Sequence, residues 1–218
     1  MPEIRWDWIE RHSDDIRHLT IEHLELVLIA VAISVVIWIP IGVLLRNQRI
    51  LFPSATILAG LIYTVPSLAL FAFLVPTTGI GRTTVIIGLV LYSPLILMRN
   101  TVVGLRGVPE PVREAARGMG LTPLQALLRV EIPLAVPSIF AGIRIITVTT
   151  VGIATIGVLV GAEGLGTLIY TNGLNRDFLT PILVGGALAT LLAVVLDLIL
   201  VAIERALTPW TRARAARD

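Results

Sequence analysis

Ionisable side chains are sparse along this chain, so the few that stand inside apolar runs are the first candidates for chemistry. Arg144 lies seven residues after Pro137, and Asp197 lies eight residues before Arg205. At ~1.5 Å per residue both sit roughly 10–12 Å from the same boundary of the apolar segments that hold them. Charges at such depth in lipid are costly and either pair or line a polar cavity. Arg144 and Asp197 are therefore expected to approach each other and lock the last two apolar segments. Separate snorkelling of the two side chains is the alternative. Catalytic constellations are missing around them. His12, His18 and His23 fall in one N-terminal stretch without the i, i+4 spacing of a zinc helix, and read as solvated or interfacial. Cysteine does not occur, so no thiolate metal or redox site is expected. Lysine does not occur either, which removes the phosphate-binding residue of a nucleotide loop. Gly161-Ala162-Glu163-Gly164-Leu165-Gly166 has suggestive glycines but no preceding strand, and reads as a re-entrant turn or short outer helix with Glu163 solvated or facing a solute or delivery protein. No enzyme and no metal site is expected.

The other chemistry-bearing stretch is 108–133, polar in a chain otherwise apolar enough for lipid. Pro111 suits a first helical position, where its missing N–H costs nothing. Val112, Ala115, Ala116 and Met119 then recur at helical spacing as one apolar stripe, bordered by Arg113, Glu114 and Arg117. Gly118 and Gly120 supply the stop. Thr122, Pro123 and Gln125 can cap a second short helix, and Pro133 is expected to break the segment again. Small side chains allow close approach of another backbone, while the charges set register. A surface-lying amphipathic helix is the plainer reading of the same pattern.

The elements that must position these residues are membrane spans. The chain is 56% hydrophobic with mean hydropathy +0.90. Its net charge of +2 gives no basis for nucleic-acid binding. A span needs about 20 apolar residues, and five segments meet this, at 19–45, 53–75, 83–105, 137–160 and 179–206. Residues 1–18, with Trp6 and Trp8, read as an interfacial amphipathic segment; 19–207 form one membrane domain and 208–218 an arginine-rich tail. With 108–133 inside, eleven arginines from Arg46 to Arg217 lie inside and five (Arg5, Arg11, Arg17, Arg82, Arg176) outside. The excess of inside arginines predicts an outside N-terminus and a cytoplasmic C-terminus in a multi-pass protein of the cell membrane. Pro40, Pro66 and Pro94 free the carbonyls of Val36, Ile62 and Val90, which in lipid need other partners. Tyr63-Thr64-Val65-Pro66-Ser67 adds hydroxyls at one such kink, making Tyr63, Thr64, Pro66 and Ser67 the candidate lining of a pathway. A kink that only shapes the bundle is an equal reading. Gly185, Ala189 and Ala193 form a helix-packing face, and no internal repeat supports an inverted-repeat carrier.

Glu114-Ala115-Ala116, three residues, Gly120, nine residues, then Val130-Glu131-Ile132-Pro133 resembles the EAA loop of ABC importer permeases, with apolar replacements at Val130 and Ile132. Pro66-Ser67-Leu68-Ala69-Leu70, Gly79-Ile80-Gly81, Arg99-Asn100-Thr101, Ala141-Gly142-Ile143-Arg144 and Gly161 to Gly166 extend the similarity to the permeases of osmoprotectant importers, with Glu163 where relatives carry glycine. The resemblance implies an all-α integral membrane fold of the type I (MetI-like) importer permeases, about five transmembrane helices with a cytoplasmic coupling helix. It implies that Arg113, Glu114, Ala115, Ala116 and Gly120 couple the chain to a separate ABC ATPase. The implied partners are two ATPase subunits, a second identical or similar permease, an extracytoplasmic substrate-binding protein and the lipid bilayer. No cofactor is implied in this chain, since ATP and Mg would bind the ATPase. The implied cargo is glycine betaine, carnitine, choline or proline. A same-fold permease for an amino acid or sulfonate is the alternative, and a stand-alone channel or secondary carrier is a weaker one, having no use for an EAA loop.

Overall fold

The computed structural model describes residues 4–210, and every regular element among them is helical. Residues 211–218, which include Arg212, Arg214 and Arg217 of the tail, lie outside the described residues. Helix α1 (Trp6–Arg11) leads into α2 (Ser13–Leu45). The expected division between residues 18 and 19 falls inside α2. Asp14 and Asp15 occupy the first turn of α2, where the helix dipole favours acids. Helix α1 is fastened to the start of the last helix: Trp8, stacked on His12 at 4.4 Å, meets Phe178 edge-on at 5.5 Å.

The expected second span is two helices, α3 (Leu51–Thr64) and α4 (Ser67–Thr78), meeting at 99°. Proline drives the residue before it into extended backbone, and Val65 stands at φ −67° and ψ 130°. The expectation that Pro66 orphans the Ile62 carbonyl is corrected, because the Val65 N–H turns back onto it at 3.1 Å. The carbonyl that needs help is that of Val65, and the Tyr92 hydroxyl donates to it. Helices α5 (Arg82–Tyr92) and α6 (Pro94–Arg106) together make one 25-residue span. Pro94 withholds a donor from Val90, but that carbonyl is not left free: it accepts from Ser93 N–H at 3.3 Å and from Trp38 Nε1 of α2 at 2.9 Å.

The fourth span departs furthest from expectation. Pro133 does not break it, and it does not begin at 137. After α7 (Glu110–Gly118), one helical rod of 38 residues runs from Pro123 to Val160. It comprises α8 (Pro123–Ala126), a π turn over Leu127–Glu131, α9 (Ile132–Ala154) and a closing 3₁₀ turn over Thr155–Val160. The π turn moves the hydrogen bonds one residue out of register, so a proline directly after it is tolerated. A second π turn over Thr167–Gly173 and a 3₁₀ turn over Leu174–Arg176 lead to α10 (Leu179–Leu207). Among the described residues four helices are long and apolar enough to cross a membrane, or five with the bent α3–α4 pair counted as one.

Helix α9 is central, packed against α2, α6 and α10. Its crossing with α6 is close because a Cβ on Gly104 would stand 2.8 Å from Ser138 and one on Gly142 would stand 2.9 Å from Asn100. One core cluster joins Leu26, Val27, Phe71, Val85, Leu89, Leu165 and Leu168 at the end holding the glycine loop. A smaller one joins Leu105, Leu127, Ala135 and Ile139 at the end holding α7. Gly185 and Ala189 are buried on α10, and Gly185 meets Leu165, Leu168 and Ile169.

Gly166 offers the sharpest test of this packing. A Cβ there would run into the Thr155 carbonyl oxygen, whereas a Cβ on Gly60 would meet nothing within 4 Å. We predict that Gly166→Ala removes most monodisperse protein from detergent extracts. Gly60→Ala should leave stability within about 1 kcal/mol of the parent. Equal recovery and thermal stability of the two variants would contradict the packing.

Candidate functional site

The polar stretch 108–133 folds as a stiff projection. Pro109 is extended, Glu110 opens α7 and Pro111 follows in the first turn. Gly118 is the last helical residue, and the stop belongs to Gly120 alone, at φ +77°. Gly120 N–H donates to the Arg117 carbonyl at 2.9 Å and Leu121 N–H to that of Ala116 at 3.2 Å. This bond pair with a left-handed glycine is a Schellman closure. Thr122 and Gln125 then form a reciprocal capping box, with bonds of 2.9 and 3.3 Å.

The expected apolar stripe divides between two faces. Ala116 is 1% exposed and turned into the body, with Val112 half-buried beside it. Glu114, Ala115 and Met119 are exposed, as are Leu124 and Leu128. A Cβ on Gly118 would meet nothing. Arg113 points inward rather than outward. It donates to the Leu105 carbonyl at the end of α6 and to Glu110 at 3.3 Å, and Glu110 also accepts from Arg117 at 3.1 Å. Sequence reasoning missed the fasteners beneath. Arg46, at the end of α2, faces Glu131 of the π turn at 3.8 Å. Arg106 Nε donates to the Arg46 carbonyl at 3.0 Å, and its guanidinium lies 5.1 Å from the Phe52 ring centroid. The signal available in the sequence was the clustering of arginines and Glu131 at the ends of the apolar runs.

At the α3–α4 bend, Tyr63, Thr64 and Pro66 are exposed and Ser67 is half-buried. The Tyr63 and Tyr92 rings meet edge-on at 6.0 Å. The bend therefore presents hydroxyls and a ring on the outside of this chain.

Arg144 and Asp197 are brought together. Arg144 Nε donates to Asp197 Oδ1 at 2.7 Å and an η nitrogen donates to Oδ2 at 3.0 Å, a two-pronged clamp between α9 and α10. Glu204, two turns along α10, has a carboxylate oxygen 3.9 Å from the same guanidinium.

At the other end of the bundle, Gly161 closes the rod at φ +85°, and Leu165 and Leu168 are fully buried under it. The loop is neither a nucleotide cradle nor a free helix but a glycine corner followed by the π turn. The expectation that His23 is solvated or interfacial is corrected. His23 is buried, with Nε2 3.1 Å from the Val151 carbonyl oxygen, and Gly164 passes so near that a Cβ would stand 2.8 Å from Nδ1. Glu163 is exposed and lies 3.7 Å from His18. Arg82 reaches Glu22 and Glu25 at 3.1 and 3.2 Å on the same rim.

The clamp sets a stability test, because removing one member of an ion pair strands the other. We predict that Arg144→Leu or Asp197→Leu alone lowers the yield of folded protein in detergent more than the double replacement does. Simple additivity of the two losses would rule out a coupled pair.

Comparison with known proteins completes the site. A family model described as "Binding-protein-dependent transport system inner membrane component" matches residues 39–209. The chain is 38% identical over 203 residues to the choline transport system permease protein OpuBB of Bacillus subtilis (strain 168), covering 93% of each. It is 39% identical over 196 residues to the osmoprotectant import permease protein OsmW of Salmonella typhimurium (strain LT2), covering 88% of this chain and 91% of that one. An inward-facing structure of the MetNI methionine ABC transporter superposes with TM-score 0.81 at 26% identity, over 88% of this chain and 96% of that chain. The helical bundle, the capped projection and the family match together assign this chain to the binding-protein-dependent inner membrane components, the MetI-like permeases of ABC importers.

Proposed function

We propose that the chain is one membrane half of an ATP-driven importer for a small compatible solute such as glycine betaine, carnitine, choline or proline. A second permease, identical or similar, completes the path. Two ATPase subunits dock on the α7 side and bind the ATP and Mg, and a substrate-binding protein delivers the solute at the rim holding Glu163. The observation that carries this reading is the outward face of Glu114, Ala115, Gly118 and Met119. It is exposed, small at Ala115 and Gly118, and held from behind by Arg113 on the α6 carbonyl. Such a face suits insertion into a groove, and its rigid backing lets a push at α7 reach the rod that starts at Pro123. Similarity at 38% identity to a choline permease supports the solute class. Fold likeness to a methionine transporter, at 26% identity, favours an amino acid as the second reading. The hydroxyls of Tyr63 and Thr64, with Pro66 and half-buried Ser67, supply part of the path lining.

Uptake of labelled choline and glycine betaine by proteoliposomes holding the full complex tests the solute class; ATP-dependent uptake of neither counts against it. For the coupling face, we predict that Glu114→Lys or Ala115→Trp leaves the permease in the membrane but lowers ATP-driven uptake at least about tenfold, a loss of at least ~1.4 kcal/mol in coupling. Normal uptake by variants that still assemble with the ATPase would refute the docking role. For orientation, the arginine bias predicts a cytoplasmic C-terminus. A reporter fused after residue 217 should be active only inside the cell, and activity only outside would overturn the five-span topology.

A further inference from the structure

The Arg144–Asp197 clamp is open on one side. Its two side chains keep 35% and 29% of their surface exposed, although both lie within the membrane-spanning parts of α9 and α10. They line an open cleft of about 420 Å³ with Thr149, Ile145, Val148 and Ala141. Charged groups in a span do not face lipid tails, so this cleft holds water or is covered by protein. The face does not end there. Gly186, Thr190, Asp197 and Glu204 follow one another at spacings of four, seven and seven, which keeps them on one side of α10. Gly186 and Thr190 line a second open groove higher on the same helix. A stripe of glycine, hydroxyl and carboxylate, half-buried except at Thr190, runs along a helix whose other exposed positions are aliphatic but for Arg205.

At the clamp, among the described residues, one guanidinium faces two carboxylates, Asp197 and, at 3.9 Å, Glu204. A quaternary ammonium cannot donate a hydrogen bond, so a negative field is what recognises it where no aromatic cage exists. Neither Tyr nor Trp lines the cleft. A path must also let its cargo leave, which favours a single excess charge over a deep cage. We infer that Arg144, Asp197 and Glu204 form a weak solute-contact site on the wall of the path. The cationic head of the solute sits against the two carboxylates, and a carboxylate tail, where the solute has one, turns toward Arg144. The choice of solute rests on the function proposed above; the cation preference of the wall does not.

The absence of cysteine makes this testable by single replacements. Thr149→Cys, and separately Ala141→Cys, are placed in the assembled complex in proteoliposomes. Each is treated with a trimethylammonium-bearing and with a sulfonate-bearing methanethiosulfonate, and labelling of this chain is read by mass. Rates are normalised to a cysteine on an exposed loop. The cationic reagent should react about tenfold faster than the anionic one, as expected for a negatively charged cleft. Adding Glu204→Gln should cut that ratio several-fold, and saturating choline or glycine betaine should slow the labelling. Failure of both cysteines to react, meaning a face sealed by lipid or by another copy, overturns the inference. Equal normalised rates for the two reagents overturn it as well. A cation preference with no protection by either solute upholds the negatively charged wall and counts instead against the proposed cargo.

Discussion

A carbonyl set free inside a membrane has no water to turn to, and the architecture is arranged around that constraint. Prolines loosen the helical ladder in the spans, and at two of them a side chain from a different helix donates to a nearby carbonyl. Trp38 of α2 reaches the Val90 carbonyl beside Pro94, and Tyr92 of α5 reaches the Val65 carbonyl at Pro66. The repairs are also tertiary contacts, so they hold α2 against α5–α6 and fix the corner between α3 and α4. Ser34 and Ser93 add a buried hydroxyl contact of 3.0 Å at the same level. Small residues then let the remaining helices close up, as where Gly104 and Gly142 admit α9 against α6.

The same economy governs the polar projection. Helix α7 is too short to be stable alone. Its C-terminus is closed by Gly120 and its inner face by Ala116, and Arg113 bonds it to the end of α6. What is left outward is nearly bare of internal partners. Glu114 makes no ion pair or hydrogen bond among the described residues. A segment braced on one side and unpartnered on the other suits transmission of force better than a loop lying loosely on headgroups.

Much of this was legible in the residues. Apolar runs of span length mark the membrane helices, because lipid imposes a length on them. The depth of Arg144 and Asp197 placed them at a common level, since rise per residue is fixed. Less legible were features decided by tertiary contact. Pro133 looks like a break, yet a π turn absorbs it, and nothing local distinguishes a residue about to enter such a turn. Pro66 looks like a kink, and the 99° corner depends on Tyr92 far along the chain. His23 sits among charged neighbours in sequence, but the glycine loop folds back over it across more than a hundred residues. The stripe on α7 was read as one face, whereas the body claims Ala116 and leaves Ala115 outside.

The unbroken rod from Pro123 to Val160 has a mechanical consequence. At ~1.5 Å per residue its 38 residues span roughly 57 Å. At one end it joins α7 through the Thr122 cap, and at the other Gly166 lies directly on Thr155 under the loop that carries Glu163. Were such a rod to tilt about its close contact with α6 at Gly142, its two ends would move in opposite senses. The two ends of the molecule are thus joined by one solid part and not by a relay of separate ones.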